Sequence, residues 1–389
     1  MHCELCVTNV FLYRHTLYTE KSAHRFRKRR GIVRSIDSAR DRIDAFFKSQ
    51  YFNRYGFHDK MRRIHGKREC DAGLAIDQKK IAIIGNNKIS TSYAFALMNQ
   101  QLNVEVCLIG DKKAQVLKDI GYSAYFRPKT ALASGGMAEC RNVAVIVFTQ
   151  DPFVDTENMQ QASAVVRRFV NQWMETGFHG ICVIATPQSE VVALWIMKFS
   201  GLAAEKIIAL GTMLDTAFLQ WELGRHFQVN AKNVHAYMIG STLANGVPAW
   251  SRAYIGGRPI LSYMMDDPER YSFEKLQPIV TQMQELPSEP LAENRLFDYS
   301  IALALVELTR IILEDERMIL TVGVYVQDKF GMASGFISIP AVIGASGVKT
   351  TVPLTLSDSE QKQLATVVKA LEEAVQAGLP NEGGTKRGV

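Results

Sequence analysis

The feature that most constrains this chain is a train of short apolar runs, each ending on or beside a glycine or threonine. Lys79-Lys-Ile-Ala-Ile-Ile-Gly85 is the first. Val104-Glu-Val-Cys-Leu-Ile-Gly110, Asn142-Val-Ala-Val-Ile-Val-Phe-Thr149, Gly180-Ile-Cys-Val-Ile-Ala-Thr186 and Ile207-Ile-Ala-Leu-Gly211 follow. Runs this short and this apolar read as strands buried on both faces, which is the pattern of a parallel sheet. Between them lie stretches of helical period, through Tyr93, Phe95, Ala96 and Met98 and again through Val165, Phe169, Val170 and Trp173. Parallel neighbours need crossover helices, so the alternation predicts a doubly wound α/β sheet. After Asn233 the pattern becomes mixed. Ile301, Leu305, Leu308, Ile311 and Ile312 share one face of a helix predicted over 297–314. Strands are predicted over 318–326 and 335–339, the second closing at Pro340. A terminal helix is predicted over 357–377, with Ser357 as its N-cap and Glu360 three residues on.

Charge divides the chain unevenly. Residues 1–78 hold 17 Lys and Arg against 9 Asp and Glu, a net of +8 inside a whole-chain net of +6. Residues 79–389 are therefore close to neutral, and the basicity belongs to an N-terminal extension. His24-Arg-Phe-Arg-Lys-Arg-Arg30 and Met61-Arg-Arg-Ile-His-Gly-Lys-Arg68 are its two basic clusters. The preferred reading is a solvated, partly helical or disordered arm. The alternative is an arm that meets an anionic partner by counterion release; no base-reading motif accompanies it. Cys3-x-x-Cys6 with His15 and His24 lacks the second tight pair of a zinc site, so no metal is expected. A start further downstream, at Met61, is a further reading of the same segment. Six Cys in 389 residues suggest a reducing compartment, and no apolar run reaches the ~18 residues a membrane span needs, so a cytoplasmic protein is expected.

Ser92-Tyr-Ala-Phe-Ala-Leu-Met-Asn99, Phe199-Ser-Gly-Leu202, Gly211-Thr-Met-Leu-Asp-Thr-Ala217, Asn233-Val-His-Ala-Tyr-Met-Ile-Gly240 and Pro248-Ala-Trp-Ser-Arg-Ala-Tyr-Ile-Gly256 stand in one order along the chain. Ile319-Leu-Thr-Val322 and Ile339-Pro-Ala-Val-Ile343 continue it. In these stretches the chain resembles the L-lactate dehydrogenase family, over essentially residues 79–389. The resemblance implies a Rossmann-like NAD-binding half over 79–233, followed by an α+β catalytic half over 234–389. It also implies assembly as a homo-oligomer, dimer or tetramer, with a hetero-oligomer containing an active paralogue as a variant of the same idea.

Reducing a 2-keto acid takes a held nicotinamide, a cationic clamp for the carboxylate, a proton donor that titrates near neutrality, and a second cation on a closing loop. The family's Gly-x-Gly-x-x-Gly turn is here Gly85-Asn-Asn-Lys-Ile-Ser90, so Asn87 and Ser90 replace two glycines. Gly85, Asn86 and Asn87 remain the cofactor-binding candidates, with tolerance of positive φ as the argument for Asn87 and added phosphate attraction as the argument for Lys88. The acid that would hold the ribose falls on Gly110, and Asp111 stands one residue later. The resemblance sets Thr242 at the proton-donor position, and a hydroxyl does not titrate near pH 7. Asp215, which would orient the missing imidazole, is kept. Phe218 takes the place of the clamping Arg, Asp155 that of the loop Arg, and Phe297 that of a pocket Thr. Thr186-Pro187-Gln188 replaces a Thr-Asn-Pro. His179, His226 and His235 fall elsewhere in the pattern. The expectation is a catalytically silent relative that binds a ligand or partner, with NAD possible but weakened. The alternative is a nicotinamide oxidoreductase with an altered substrate, in which Thr242, Asp298 or Tyr299 handles the proton.

Overall fold

The computed structural model describes residues 79–379 except 101, 111–113, 127–129, 155 and 286–297. The basic extension, with its Cys3 and Cys6, lies outside the described residues. Strand β1 (Lys79–Ile84) leads to helix α1 (Lys88–Asn99), β2 (Val104–Ile109), α2 (Ala114–Ser123) and β3 (Ala131–Gly135). Next come β4 (Val145–Phe148), α3 (Met159–Met174), β5 (Ile181–Ile184), α4 (Ser189–Ser200), β6 (Ile207–Ala209) and α5 (Met213–His226). These six strands are parallel neighbours in the order β3-β2-β1-β4-β5-β6. Ile81 through Ile84 are buried, as a strand covered on both faces must be. The order reverses between β1 and β4, and the crevice beyond the C-terminal ends of those two strands is where open α/β sheets take ligands. The expected doubly wound, Rossmann-like α/β sheet is present.

The mixed region begins with short pairings: β7 (Val234–His235), β8 (Met238–Ile239), β9 (Val247–Pro248), β10 (Tyr254–Ile255) and β11 (Arg258–Pro259). Helices α6 (Ile260–Asp266), α7 (Pro268–Tyr271), α8 (Phe273–Glu285) and α9 (Asp298–Glu314) follow. The hairpin β12 (Met318–Lys329) and β13 (Met332–Gly344), then β14 (Gly347–Thr351), extend the sheet beyond β6 to nine strands. The join is Gly323 of β12 against Ala209 of β6. A Cβ on Gly323 would sit 2.6 Å from that of Ala209, so the close approach requires glycine. The sheet thus runs across position 233/234, and the described residues cluster as one compact unit. Helix α10 (Asp358–Gly378) closes the described chain, and its N-terminus is the expected capping box of Ser357 and Glu360.

Two expectations are corrected. Pro340 does not end its strand, because β13 continues to Gly344. Pro340 faces Thr321 of β12 on one side, while its carbonyl accepts from Val352 at 2.8 Å on the other, just past the end of β14. In an antiparallel ladder a residue's N–H and C=O point to the same neighbour. The missing N–H therefore removes only the terminal rung toward β14 and leaves the β12 pairing whole. The second correction is β3, which the apolar-run reading passed over. It is an edge strand of Ala, Leu, Ser and Gly with mostly exposed or half-buried positions, so it carries no apolar signal.

The main core joins the sheet to α1, α3, α4, α9 and α10. A second cluster packs α5, β7, β10, α6 and α8 around Leu219, Leu223, Ile260 and Leu276. Among the described residues no helix is long and apolar enough to cross a membrane.

Candidate functional site

The turn after β1 is built to be tight. Gly85 has φ +156°, and a Cβ there would lie 2.2 Å from Thr149 Oγ1. Beyond it Asn87 is the N-cap of α1, with φ −102° and ψ 175°. Its backbone is extended, so the argument from positive φ does not apply, and the side chain is what matters. The Asn87 carboxamide oxygen accepts from the Ser90 N–H at 3.1 Å, while its Nδ2 donates to the Thr149 carbonyl. Ser90 is buried, and its single hydroxyl proton lies between the Asn87 carbonyl at 2.8 Å and the Gly85 carbonyl at 3.1 Å. The Asn86 N–H donates to Gln150 Oε1 at 3.3 Å. The turns after β1 and β4 are thus tied to each other directly across the crevice. Two backbone N–H groups that a helix N-terminus would turn toward a phosphate are taken by side chains. Asn87→Ala removes both the cap and the tie, and is expected to cost about 1–2 kcal/mol in a urea melt; a variant within 0.3 kcal/mol of the parent would contradict the tie.

Gly110, at the end of β2, has φ +151°, and a Cβ on it would meet Asn86 Oδ1 at 2.2 Å. The Asn86 carboxamide therefore lies against the strand end where an acid was sought, and Asp111 lies outside the described residues. Lys88 turns to α9: its Nζ is 3.8 Å from Asp298 Oδ2 and 5.0 Å from the centroid of the Tyr299 ring. Asp298 is buried and Tyr299 exposed. The lysine sought for phosphate attraction is engaged with both residues sought for proton handling.

Asp215 and Phe218 stand one turn apart on α5 and share a face. Both are half-buried. Phe218 packs against the second apolar cluster. Burial pushes the Asp215 carboxyl up to about 6, and the charge of Glu190 pushes the same way. Thr242 opens a short 3₁₀ turn and is exposed. The described histidines do not converge on Asp215: His179 meets the Gly177 carbonyl, His226 meets the Arg270 carbonyl beside the Phe227 and Tyr271 rings, and His235 pairs in β7 with Tyr254. Asp155 and Phe297 lie outside the described residues. Among the described residues no group of three His, Cys, Asp or Glu is placed to hold a metal.

What the sequence reading missed is Glu190, buried at the start of α4. Its oxygens accept from Ser338 at 2.7 Å, Ser241 at 3.0 Å and Ser189 at 3.3 Å. Each serine oxygen in turn accepts a backbone N–H: Thr212 for Ser338, Leu243 for Ser241, Gly211 for Ser189. Four chain segments, around 190, 211, 241 and 338, join in one network around the carboxyl group, three of them bonding to it directly. Its pKa is raised because burial outweighs the three hydroxyl donors. An acid inside the apolar run Ser189-Glu-Val-Val-Ala-Leu-Trp195 was the available signal. At the adjacent end of β5, Thr186 Oγ1 and Gln188 Oε1 are buried without a hydrogen-bond partner among the described residues.

The sequence pattern of the lactate/malate dehydrogenase alpha/beta C-terminal domain matches residues 212–381. The chain is 33% identical over 320 residues to an L-lactate dehydrogenase of Geobacillus sp., covering 78% of this chain and 96% of that protein. It is 32% identical over 302 residues to the L-lactate dehydrogenase of Oceanobacillus iheyensis, covering 75% and 94%. Among solved structures, a lactate dehydrogenase enzyme from a Medee basin deep-sea metagenome library matches with a TM-score of 0.72 at 27% identity, covering 77% of this chain and 99% of the other.

Proposed function

The chain belongs to the L-lactate dehydrogenase family, and from that premise we propose that it is a catalytically silent member which acts by binding. The observation that carries this reading is the chemistry of α5 and the turn after β8: Asp215 is half-buried with no imidazole among its described neighbours, Phe218 offers no donor, and Thr242 offers no titratable group. Loss of general acid–base catalysis costs roughly 10²–10⁴ in rate, and loss of an oxyanion stabiliser about 10²–10³ more. A phenylalanine in place of a guanidinium also withdraws charge-assisted bonds worth about 1.5–3 kcal/mol each. These effects overlap, yet together they leave no route to 2-hydroxy acid turnover.

The residues after β1 do not fit a dinucleotide in the family's manner. Asn87 and Asn86 bind across the crevice to Thr149 and Gln150, and Ser90 fills the place of a glycine. In this reading residues 79–233 and 234–389 persist as the two halves of an inherited scaffold, assembled as a homo-oligomer or with an active paralogue. The test is a calorimetric titration of the full chain with NADH, followed by NADH and pyruvate at 340 nm. The expected results are no saturable binding below ~1 mM and a rate under ~10⁻³ s⁻¹; turnover near the ~10 s⁻¹ of an ordinary enzyme overturns the proposal.

One observation favours a second reading, an NAD-dependent oxidoreductase with an altered substrate. Among the described residues, Thr186 Oγ1 and Gln188 Oε1, just past the C-terminal end of β5, are buried without a hydrogen-bond partner. A buried polar atom without a partner costs about 1–3 kcal/mol, which a ligand reaching it would recover. Saturable NADH binding together with turnover of an uncharged carbonyl compound would establish that reading.

A further inference from the structure

We infer that a cleft between α8, α10 and residues 244–251 is a binding site for a flat, uncharged aromatic molecule with a hydrogen-bonding edge. The cleft measures about 800 Å³, within the ~300–1,000 Å³ of small-molecule sites. One wall is apolar. Trp250 and Phe273 meet at 6.3 Å between ring centroids and 70° between planes. That corner lets a flat ring lie on one face and point its edge at the other, the arrangement aromatic quadrupoles favour. Phe273 is 51% exposed and Leu261 39%, so two large apolar side chains are left open at the cleft itself. The facing wall is neutral and polar: Gln363 and Thr366 stand exposed on α10, and Gln277 on α8.

Charge selects the ligand class. In a chain with 22% charged residues, Glu360 is the one charged side chain among the described residues lining the cleft. Its oxygens are already taken by the Ser251 N–H at 2.9 Å, the Ser251 hydroxyl at 2.6 Å and the Ser357 N–H at 2.8 Å. These donors hold its carboxyl below the usual range despite partial burial. A cationic ligand meets a carboxylate with three of its roughly four acceptor positions already taken, and an anionic one meets neither Lys nor Arg among the described lining residues. Asp358 and Glu360 in the first turn of α10 further oppose an anion at that helix end. A neutral ring whose polar edge reaches the glutamine carboxamides is what remains. Gly85, Asn87, Asp215, Phe218 and Thr242 do not line this cleft. Its occupancy is independent of whether the crevice turns anything over.

The test is a calorimetric titration of the full chain with 2-naphthol and, separately, with 2-naphthoate, the same ring system carrying a charge. Saturable 1:1 binding of 2-naphthol with a Kd below ~1 mM is expected, and binding of 2-naphthoate at least ~10-fold weaker. Phe273→Ser and Gln363→Ala alter exposed side chains, so both variants remain folded, Phe273→Ser with a slightly lower melting temperature for the lost Trp250 contact, while each weakens 2-naphthol by ~5-fold or more. Asn87→Ala, in the crevice, leaves 2-naphthol binding unchanged. Absent binding, equal affinity for the two probes, indifference to Phe273→Ser, or loss of binding in Asn87→Ala would each overturn the inference. The last outcome would move the ligand into the crevice.

Discussion

Replacing Glu190 by alanine is expected to lower the free energy of unfolding by about 3–5 kcal/mol at pH 7, a large share of the ~5–15 kcal/mol that holds a domain together. The carboxyl group is the common acceptor for Ser189, Ser241 and Ser338. Truncation leaves three hydroxyl donors facing a void, and each orphaned donor costs about 1–3 kcal/mol before relaxation. The surroundings have little freedom to collapse. Gly211 has φ +52°, and a Cβ there would lie 1.9 Å from Ser338 Oγ, so the loop into α5 already touches the network. Glu190→Gln keeps the shape and one carbonyl acceptor, and forces only one serine to turn its hydroxyl around. It should cost about 1–2 kcal/mol. Urea unfolding followed by circular dichroism separates the two variants. If alanine proves no worse than glutamine, the carboxyl group is not the centre of the four-segment network.

The second large effect is a dependence of stability on pH that runs opposite to that of a salt-bridged carboxylate. The folded pKa of Asp215, about 6, lies above its ordinary 3.8, through burial first and the charge of Glu190 second. A raised acid binds its proton more tightly in the folded state. Its contribution is therefore complete below pH ~4 and is lost as pH rises through about 6. The rise from 3.8 to about 6 corresponds to at most ~3 kcal/mol, and water reaching the half-buried carboxyl reduces this toward ~1–2. Glu190, itself raised by burial, moves stability in the same direction. Asp215→Asn should thus be more stable than the parent at pH 7.5 and equal to it at pH 4, the two melting curves converging as the solution is acidified. A difference that does not vary with pH would show that Asp215 is not desolvated in the folded chain.

The skeleton of the fold was legible wherever burial on both sides left a continuous apolar run. β1, β2, β4, β5 and β6 are all interior to the nine-stranded sheet, and the apolar residues of the runs that marked them are buried. The α10 cap was legible because Ser357 and Glu360 interact across three residues and need nothing distant. β3 was not, since an edge strand with open faces has no hydrophobic signature. Pro340 misled because its cost depends on which neighbour its nitrogen faces, and only the pairing decides that. The candidate site divides the same way. Resemblance alone singles out positions 87, 90, 218 and 242. What Asn87 does instead was not legible, because its partner Thr149 stands 62 residues away. The Glu190 network was hidden for the same reason: it draws on Ser338, 148 residues along the chain.

The proline that β13 carries also limits the length of the edge strand beside it. β14 is the outermost strand on that side and only five residues long, and past Thr351 only the Val352 N–H to Pro340 carbonyl bond remains, because Pro340 has no hydrogen to return. At the other end Gly347, with φ +96° and Glu205 O 2.0 Å from where a Cβ would sit, pins the ribbon to the segment before β6. A foreign polypeptide seeking to template itself on this flank meets a stub too brief to seed growth, a built-in guard against fibrous self-assembly.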